Sequence, residues 1–112
     1  MSKSAPQSLT GKTIRWTFNE GPTKGKTFEH VLAADGSVSY KMLDEHGKPG
    51  KGTQEKKAGA ERIDDSVWVI SYLGSAGYTL TVLLNFTDMS AMSYASNEKN
   101  WLPAKGSFEI AA

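Results

Sequence analysis

The side chains able to do chemistry in this chain are few: two histidines, His30 and His46, no cysteine, and thirteen basic residues of which only Arg15 and Arg62 are arginines. His30 has the most suggestive surroundings. In a period-two reading it shares a strand face with Phe28 and Leu32. A three-residue hairpin at Ala34-Asp35-Gly36, with glycine taking the left-handed position, then pairs Leu32 with Val38, His30 with Tyr40 and Phe28 with Met42. A hydrogen-bonded His30 and Tyr40 pair could orient an acidic or phenolic ligand or exchange a proton with it, although a lone histidine of this kind is more often a satisfied group inside a core. The same parity gathers Trp16, Phe18, Ile70 and Tyr72 beside Phe28, His30 and Tyr40, and these seven are the candidate ligand-binding residues. An aromatic lining with few polar groups is the composition of a small-molecule pocket and also that of a packed core, so both readings stand.

Other chemistries lack their residues. His30 and His46 are sixteen positions apart, without the spacing of a catalytic zinc site, so no metal is expected. Gly74-Ser75-Ala76-Gly77 joins two strands and is not a nucleophile elbow, which needs a strand followed by a helix. The glycines at 21 and 25 lack the helix of a phosphate site, and no cofactor is implied. Asn85-Phe86-Thr87 is a glycosylation sequon only for a chain that leaves the cytoplasm. Arg15 and Glu29 fall on the opposite parity of neighbouring strands and should form a surface ion pair, and Arg62 beside Glu61, Asp64 and Asp65 reads as a solvated loop end.

The elements that position these residues are strands. Alternation recurs along most of the 112 residues, and no long stretch keeps an apolar stripe at helical spacing. Strands are predicted over Lys12 to Asn19, Lys26 to Ala33, Ser37 to Leu43, Ser66 to Leu73, Tyr78 to Phe86, Ser90 to Ser96 and Lys105 to Ala111, with a weak one over Ala58 to Ile63. Asp44 to Lys57, rich in Gly, Lys and Glu, reads as a mobile surface loop. Residues 1–9 read as a disordered lead-in and 10–112 as one domain. Seven or eight short strands joined mostly by hairpins favour a small antiparallel up-and-down β-barrel, whose interior is just wide enough to be filled by side chains or to hold one small molecule.

The runs Gly11-Lys12-Thr13-Ile14-Arg15-Trp16-Thr17-Phe18, Gly25-Lys26-Thr27-Phe28-Glu29-His30, and Ser71-Tyr72-Leu73 through Gly77-Tyr78-Thr79-Leu80-Thr81-Val82 resemble the MoaF-like family, the molybdenum cofactor biosynthesis protein F-like members of the lipocalin-like, or calycin, barrels. The resemblance covers Gly11 to Ile110 and implies the barrel; it implies no molybdenum chemistry. A more distant similarity is to the phenolic acid decarboxylases, where a strand-one tyrosine pair, an arginine and a glutamate act inside a small barrel. Trp16 and Phe18 replace the tyrosine pair, the glutamate falls near Leu73 and Gly74, and only lysine is available in Pro49 to Gly52. That similarity therefore supports an inward-facing Trp16, Phe18, Phe28 and Tyr72 and not the reaction.

With 38% hydrophobic residues, 22% charged residues and a net charge of +1, the chain carries no basic stripe for nucleic acid and no apolar run to cross a membrane. Its start lacks the apolar core of a signal peptide, and the absence of cysteine agrees with a cytoplasmic location. The expected function is binding of a small apolar or aromatic molecule inside the barrel, with His30 as polar anchor. One alternative is a lyase or isomerase acting on a small aromatic or unsaturated acid with His30 as general acid or base and Tyr40 as donor. The other is a structural or regulatory dimer: Tyr78, Leu80, Val82, Leu84 and Phe86 form a second apolar face on the sixth predicted strand, which a homodimer would cover. Trp101, near Pro103, is placed as a lid over the barrel mouth or a plug at its base.

Overall fold

A computed structural model of the chain describes residues 5–20, 24–43, 46, 48, 50, 52–74 and 77–111. Residues 1–4 of the expected lead-in and most of the segment 44–51 lie outside the described residues. The strands are β1 (Thr13–Glu20), β2 (Thr27–Leu32), β3 (Val38–Leu43), β4 (Thr53–Glu55), β5 (Ala58–Arg62), β6 (Val67–Leu73), β7 (Thr79–Asn85), β8 (Ser90–Ser96) and β9 (Trp101–Ala111). They form one antiparallel sheet in the order β4-β3-β2-β1-β9-β8-β7-β6-β5. The outermost strands, β4 and β5, are consecutive in the chain and separated only by Lys56 and Lys57. The chain thus passes from one sheet edge to the other within two residues, and the sheet curls into a nearly closed barrel with a seam at that crossing.

Among the described residues there are nine strands where seven or eight were expected. The additional one, β4, lies inside the segment read as a loop; three residues are too few to show an alternation, and its pairing with β3 through Val38↔Glu55 and Tyr40↔Thr53 is a tertiary effect. β9 also begins four residues earlier than expected, at Trp101, and includes Pro103. Pairing of β9 with β1 reaches only as far as Lys105↔Glu20, so along 101–104 one side of the strand is an edge, where the missing proline N–H breaks no ladder.

Elsewhere the turn chemistry sets the register. Gly36 has φ of 88°, and β2 pairs with β3 through Leu32↔Val38, His30↔Tyr40 and Phe28↔Met42, as the three-residue turn requires. Where β9 passes β1, Gly106 is obligatory, since a Cβ there would collide with the Thr17 carbonyl oxygen and the Phe18 Cα.

The end of the barrel that carries the β2–β3, β5–β6 and β7–β8 turns is solid. Ile14, Val38 and Leu84 are fully buried there, and Phe86 meets Phe108 edge to face with ring centroids 4.9 Å apart. Residues 5–9, read from sequence as part of an unstructured lead-in, pack against this end. Ala5 and Leu9 are buried, the Ala5 amide donates to the Asp65 carbonyl, and the Trp68 indole donates to the Pro6 carbonyl at 2.9 Å. Leu9 supplies the apolar side chain that makes this worthwhile against the entropy of ordering the segment.

The apolar face read as exterior on the sixth predicted strand, now β7, points inward. Leu80 stands opposite Tyr72 and Val82 opposite Ile70, and Val82, Leu84 and Phe86 belong to the core. Thr79, Thr81, Leu83 and Asn85 are the outward set. Among the described residues, no helix is long and apolar enough to cross a membrane.

Candidate functional site

The opposite end of the barrel, carrying the β1–β2, β6–β7 and β8–β9 connections, is hollow. A cavity of about 240 Å³ is walled by Trp16, Phe28, His30, Tyr40 and Tyr72, and completed by Gly74, Tyr78, Leu80, Ala95 and Leu102. For scale, an apolar cavity of roughly 150 Å³ suffices to hold benzene. Five of the seven residues singled out from sequence therefore line the space. Phe18 and Ile70 have the expected inward parity but lie in the solid core, with Phe18 backing the wall through the Phe28 ring at 5.9 Å.

The strands explain why the rings converge. Trp16 pairs with Phe28 across β1 and β2, and His30 with Tyr40 across β2 and β3. Tyr72 comes from β6, on the far side of the seam, and stacks on Tyr40 at 5.4 Å. The His30 ring lies between Trp16, at 3.8 Å and nearly parallel, and Tyr40, at 5.2 Å.

The expected hydrogen bond between His30 and Tyr40 is replaced by stacking. The imidazole Nε2 instead meets the Tyr72 hydroxyl at 2.9 Å. Residue 72 was placed by parity alone, and nothing in the spacing of residues 30 and 72 shows that two strands on either side of the seam bring them together. Nδ1 has no partner of hydrogen-bond geometry among the described residues, and the Phe28 backbone only weakly favours a charged ring. Burial dominates and pushes the His30 pKa down to about 3. His30 is consequently a neutral imidazole at physiological pH, with Nε2 already engaged, which is a poor arrangement for a general acid or base.

Both phenols stay protonated. Burial raises the Tyr40 pKa, with a further contribution from the Glu55 carboxylate, and burial followed by Tyr40 and Glu55 raises that of Tyr72 well above the ordinary phenol value. Glu55, on β4, is only 5% exposed and faces inward; its Oε2 accepts a long 3.5 Å contact from the Tyr40 hydroxyl. It lay in the stretch read as a loop, and no sequence signal sets it apart from the charged residues around it. Leu80 and Tyr78, by contrast, were legible in principle, because the alternate residues Thr79 and Thr81 are the polar set of that strand.

The ion pairs among the described residues lie outside the barrel. Arg15 and Glu29 form the expected ion pair at 2.7 Å, extended by Lys41 at 3.4 Å, and Arg15 with Lys41 holds the Glu29 carboxyl below its usual range. Arg62 approaches Asp65 at 3.7 Å, and His46 is exposed. Among the described residues no three His, Asp or Glu side chains group as metal ligands would. Trp101 is neither lid nor plug: it points outward from β9, 64% exposed, and stacks on Tyr94 at 5.4 Å.

No protein-family profile matches the chain, and no curated protein matches it. Among solved structures, a protein from Burkholderia vietnamiensis provisionally named a beta-lactamase superposes with a TM-score of 0.72 at 12% identity, covering 98% of this chain and 100% of that one. At that identity the likeness is one of fold, and this chain is a β-barrel of the same architecture.

Proposed function

We propose that the protein binds a small apolar or aromatic molecule in the hollow end of its barrel. The observation that carries this reading is the cavity of about 240 Å³, lined by Trp16, Phe28, His30, Tyr40 and Tyr72, in a molecule whose other half is packed solid. An aromatic wall supplies stacking surface, and the two phenol hydroxyls and the imidazole supply a few polar groups to orient a guest. The neutral, hydrogen-bonded state of His30 favours binding over turnover. Placement among the MoaF-like, lipocalin-like barrels and a cytoplasmic location belong to the same proposal; the sequence runs from Gly11 to Val82 and the antiparallel barrel support the first.

The test is fluorescence titration. Trp68 lies against the N-terminal plug and Trp101 on the exterior, so a Trp68→Phe, Trp101→Phe protein reports from Trp16 alone. A panel of single-ring compounds should produce saturable quenching that is lost in Ala95→Phe, which fills the cavity without adding a second indole. A folded protein that responds to none of the panel rejects the proposal.

A further inference from the structure

Tyr72 is a wall residue of the cavity whose hydroxyl has one hydrogen-bond partner among the described residues, the His30 Nε2 at 2.9 Å. Which of the two atoms carries the bridging proton decides what the phenol can offer a guest. A phenol is a good donor and a weak acceptor, whereas the bare nitrogen of a neutral imidazole is a good acceptor, so the bond is best satisfied with the Tyr72 hydroxyl donating to His30 Nε2. The other ring nitrogen agrees. Nδ1 is buried without a partner of hydrogen-bond geometry, but the Phe28 backbone favours a proton on the ring, and with Nε2 facing Tyr72 the nitrogen left to carry it is Nδ1. Burial keeps the imidazole neutral and the phenol protonated, so one proton lies in this bond and it belongs to Tyr72.

The consequence lies on the cavity side. With its proton turned into the His30 ring, Tyr72 Oη has only lone pairs left, and a buried acceptor gains most from a guest that brings a donor. A carbonyl, ether or carboxylate oxygen in the same place would set lone pair against lone pair and lose its hydration without replacement. The neighbouring rings supply surface for the rest of the guest: Trp16 lies 3.8 Å from the His30 ring and Tyr40 5.4 Å from that of Tyr72, so one aromatic wall runs past the acceptor. We infer that the guest of this barrel is an apolar or aromatic molecule carrying a hydroxyl or an uncharged N–H, which it donates to the Tyr72 hydroxyl oxygen, with His30 as the positioning residue that fixes the direction of that bond. The inference rests on the binding function proposed above and narrows its ligand class to hydrogen-bond donors.

A matched series separates the two propositions. Benzyl alcohol, benzaldehyde and toluene share one ring and bring a donor, an acceptor alone and neither, and their dissociation constants can be measured on the wild-type protein by calorimetry. Benzyl alcohol should bind about tenfold more tightly than benzaldehyde, the worth of one buried hydrogen bond, with toluene fixing the contribution of the ring alone. Tyr72→Phe should remove that preference. His30→Phe keeps a flat ring in the stack but takes away the acceptor, which frees the Tyr72 proton for the cavity; affinity for benzaldehyde should then rise until the preference vanishes or reverses, a change that a merely structural histidine would not produce. The imidazole nitrogen resonances of isotope-labelled protein should show the His30 proton on Nδ1 and none on Nε2. Benzaldehyde bound as tightly as benzyl alcohol, a preference that survives Tyr72→Phe, or a proton on Nε2 overturns the donor assignment and leaves the binding function standing. Binding of none of the three, by a folded protein, overturns both. Should either variant fail to fold, the wild-type ranking and the imidazole resonances decide.

Discussion

The two ends of this barrel are built from the same alternation yet do opposite things with it. Near the β2–β3 and β7–β8 turns the inward positions are aliphatic, Ile14, Val38 and Leu84, each with no exposed surface, and Leu9 from the N-terminal segment closes the floor. Near the β6–β7 and β8–β9 connections the inward positions alternate large rings with small residues, Tyr72 and Tyr40 against Gly74 and Ala95, and only half-bury Phe28, Leu80 and Leu102. Branched aliphatic side chains interdigitate and leave no gap, whereas flat rings that stack on each other in one cluster cannot also fill the opposite wall. Stacking of Trp16, His30, Tyr40 and Tyr72 concentrates the bulk on one side and leaves the cavity on the other.

The contrast is sharpest in stability. Leu84→Ala at the solid end should cost about 2–5 kcal/mol, while Leu80→Ala, two turns of the pleat away at the cavity, should cost about 1 kcal/mol or less. Denaturant midpoints measure both, and equal losses would erase the distinction between the ends. The next effect is one of pH. His30 is pushed below its unfolded value of about 6.5, so the unfolded chain takes up the proton first as pH falls. Its contribution is complete above about pH 6.5 and is lost at roughly 1.4 kcal/mol per unit down to about pH 3. His30→Gln should show a shallower acid decline than the wild type over that window, and parallel curves would contradict the neutral imidazole. At the floor, Trp68→Phe removes the hydrogen bond to the Pro6 carbonyl and should cost about 1 kcal/mol, with faster proteolysis of the N-terminal segment. Trp101→Ser, outside both ends, should change the midpoint by less than about 0.5 kcal/mol and leave Trp16 quenching intact.

Much of this was readable in the residue order. Asp35-Gly36 fixed a turn length, the turn length fixed the register of β2 on β3, and the register put Phe28, His30 and Tyr40 on one face; Arg15 and Glu29 then met on the other. Local rules stop where strands distant in sequence meet. Tyr72 and Glu55 reach the His30 and Tyr40 cluster only because β4 and β5 close the seam, and a three-residue strand between Gly52 and Lys56 has too little pattern to announce that. The inward direction of β7 was within reach, since Thr79, Thr81 and Asn85 mark its wet face, but Val67, Val69 and Leu73 blur the same contrast on neighbouring β6.

The pairing of β1 with β9, which begins at Thr13↔Ala111, joins the first strand to the last. Until β9 inserts between β1 and β8, the other eight strands are two four-stranded sheets, β4-β3-β2-β1 and β8-β7-β6-β5, each with a bare edge where β9 will lie. Closure is then the single event in which β9 claims both edges at once, and the chain needs protection from its neighbours during the interval when those edge amides are still unclaimed.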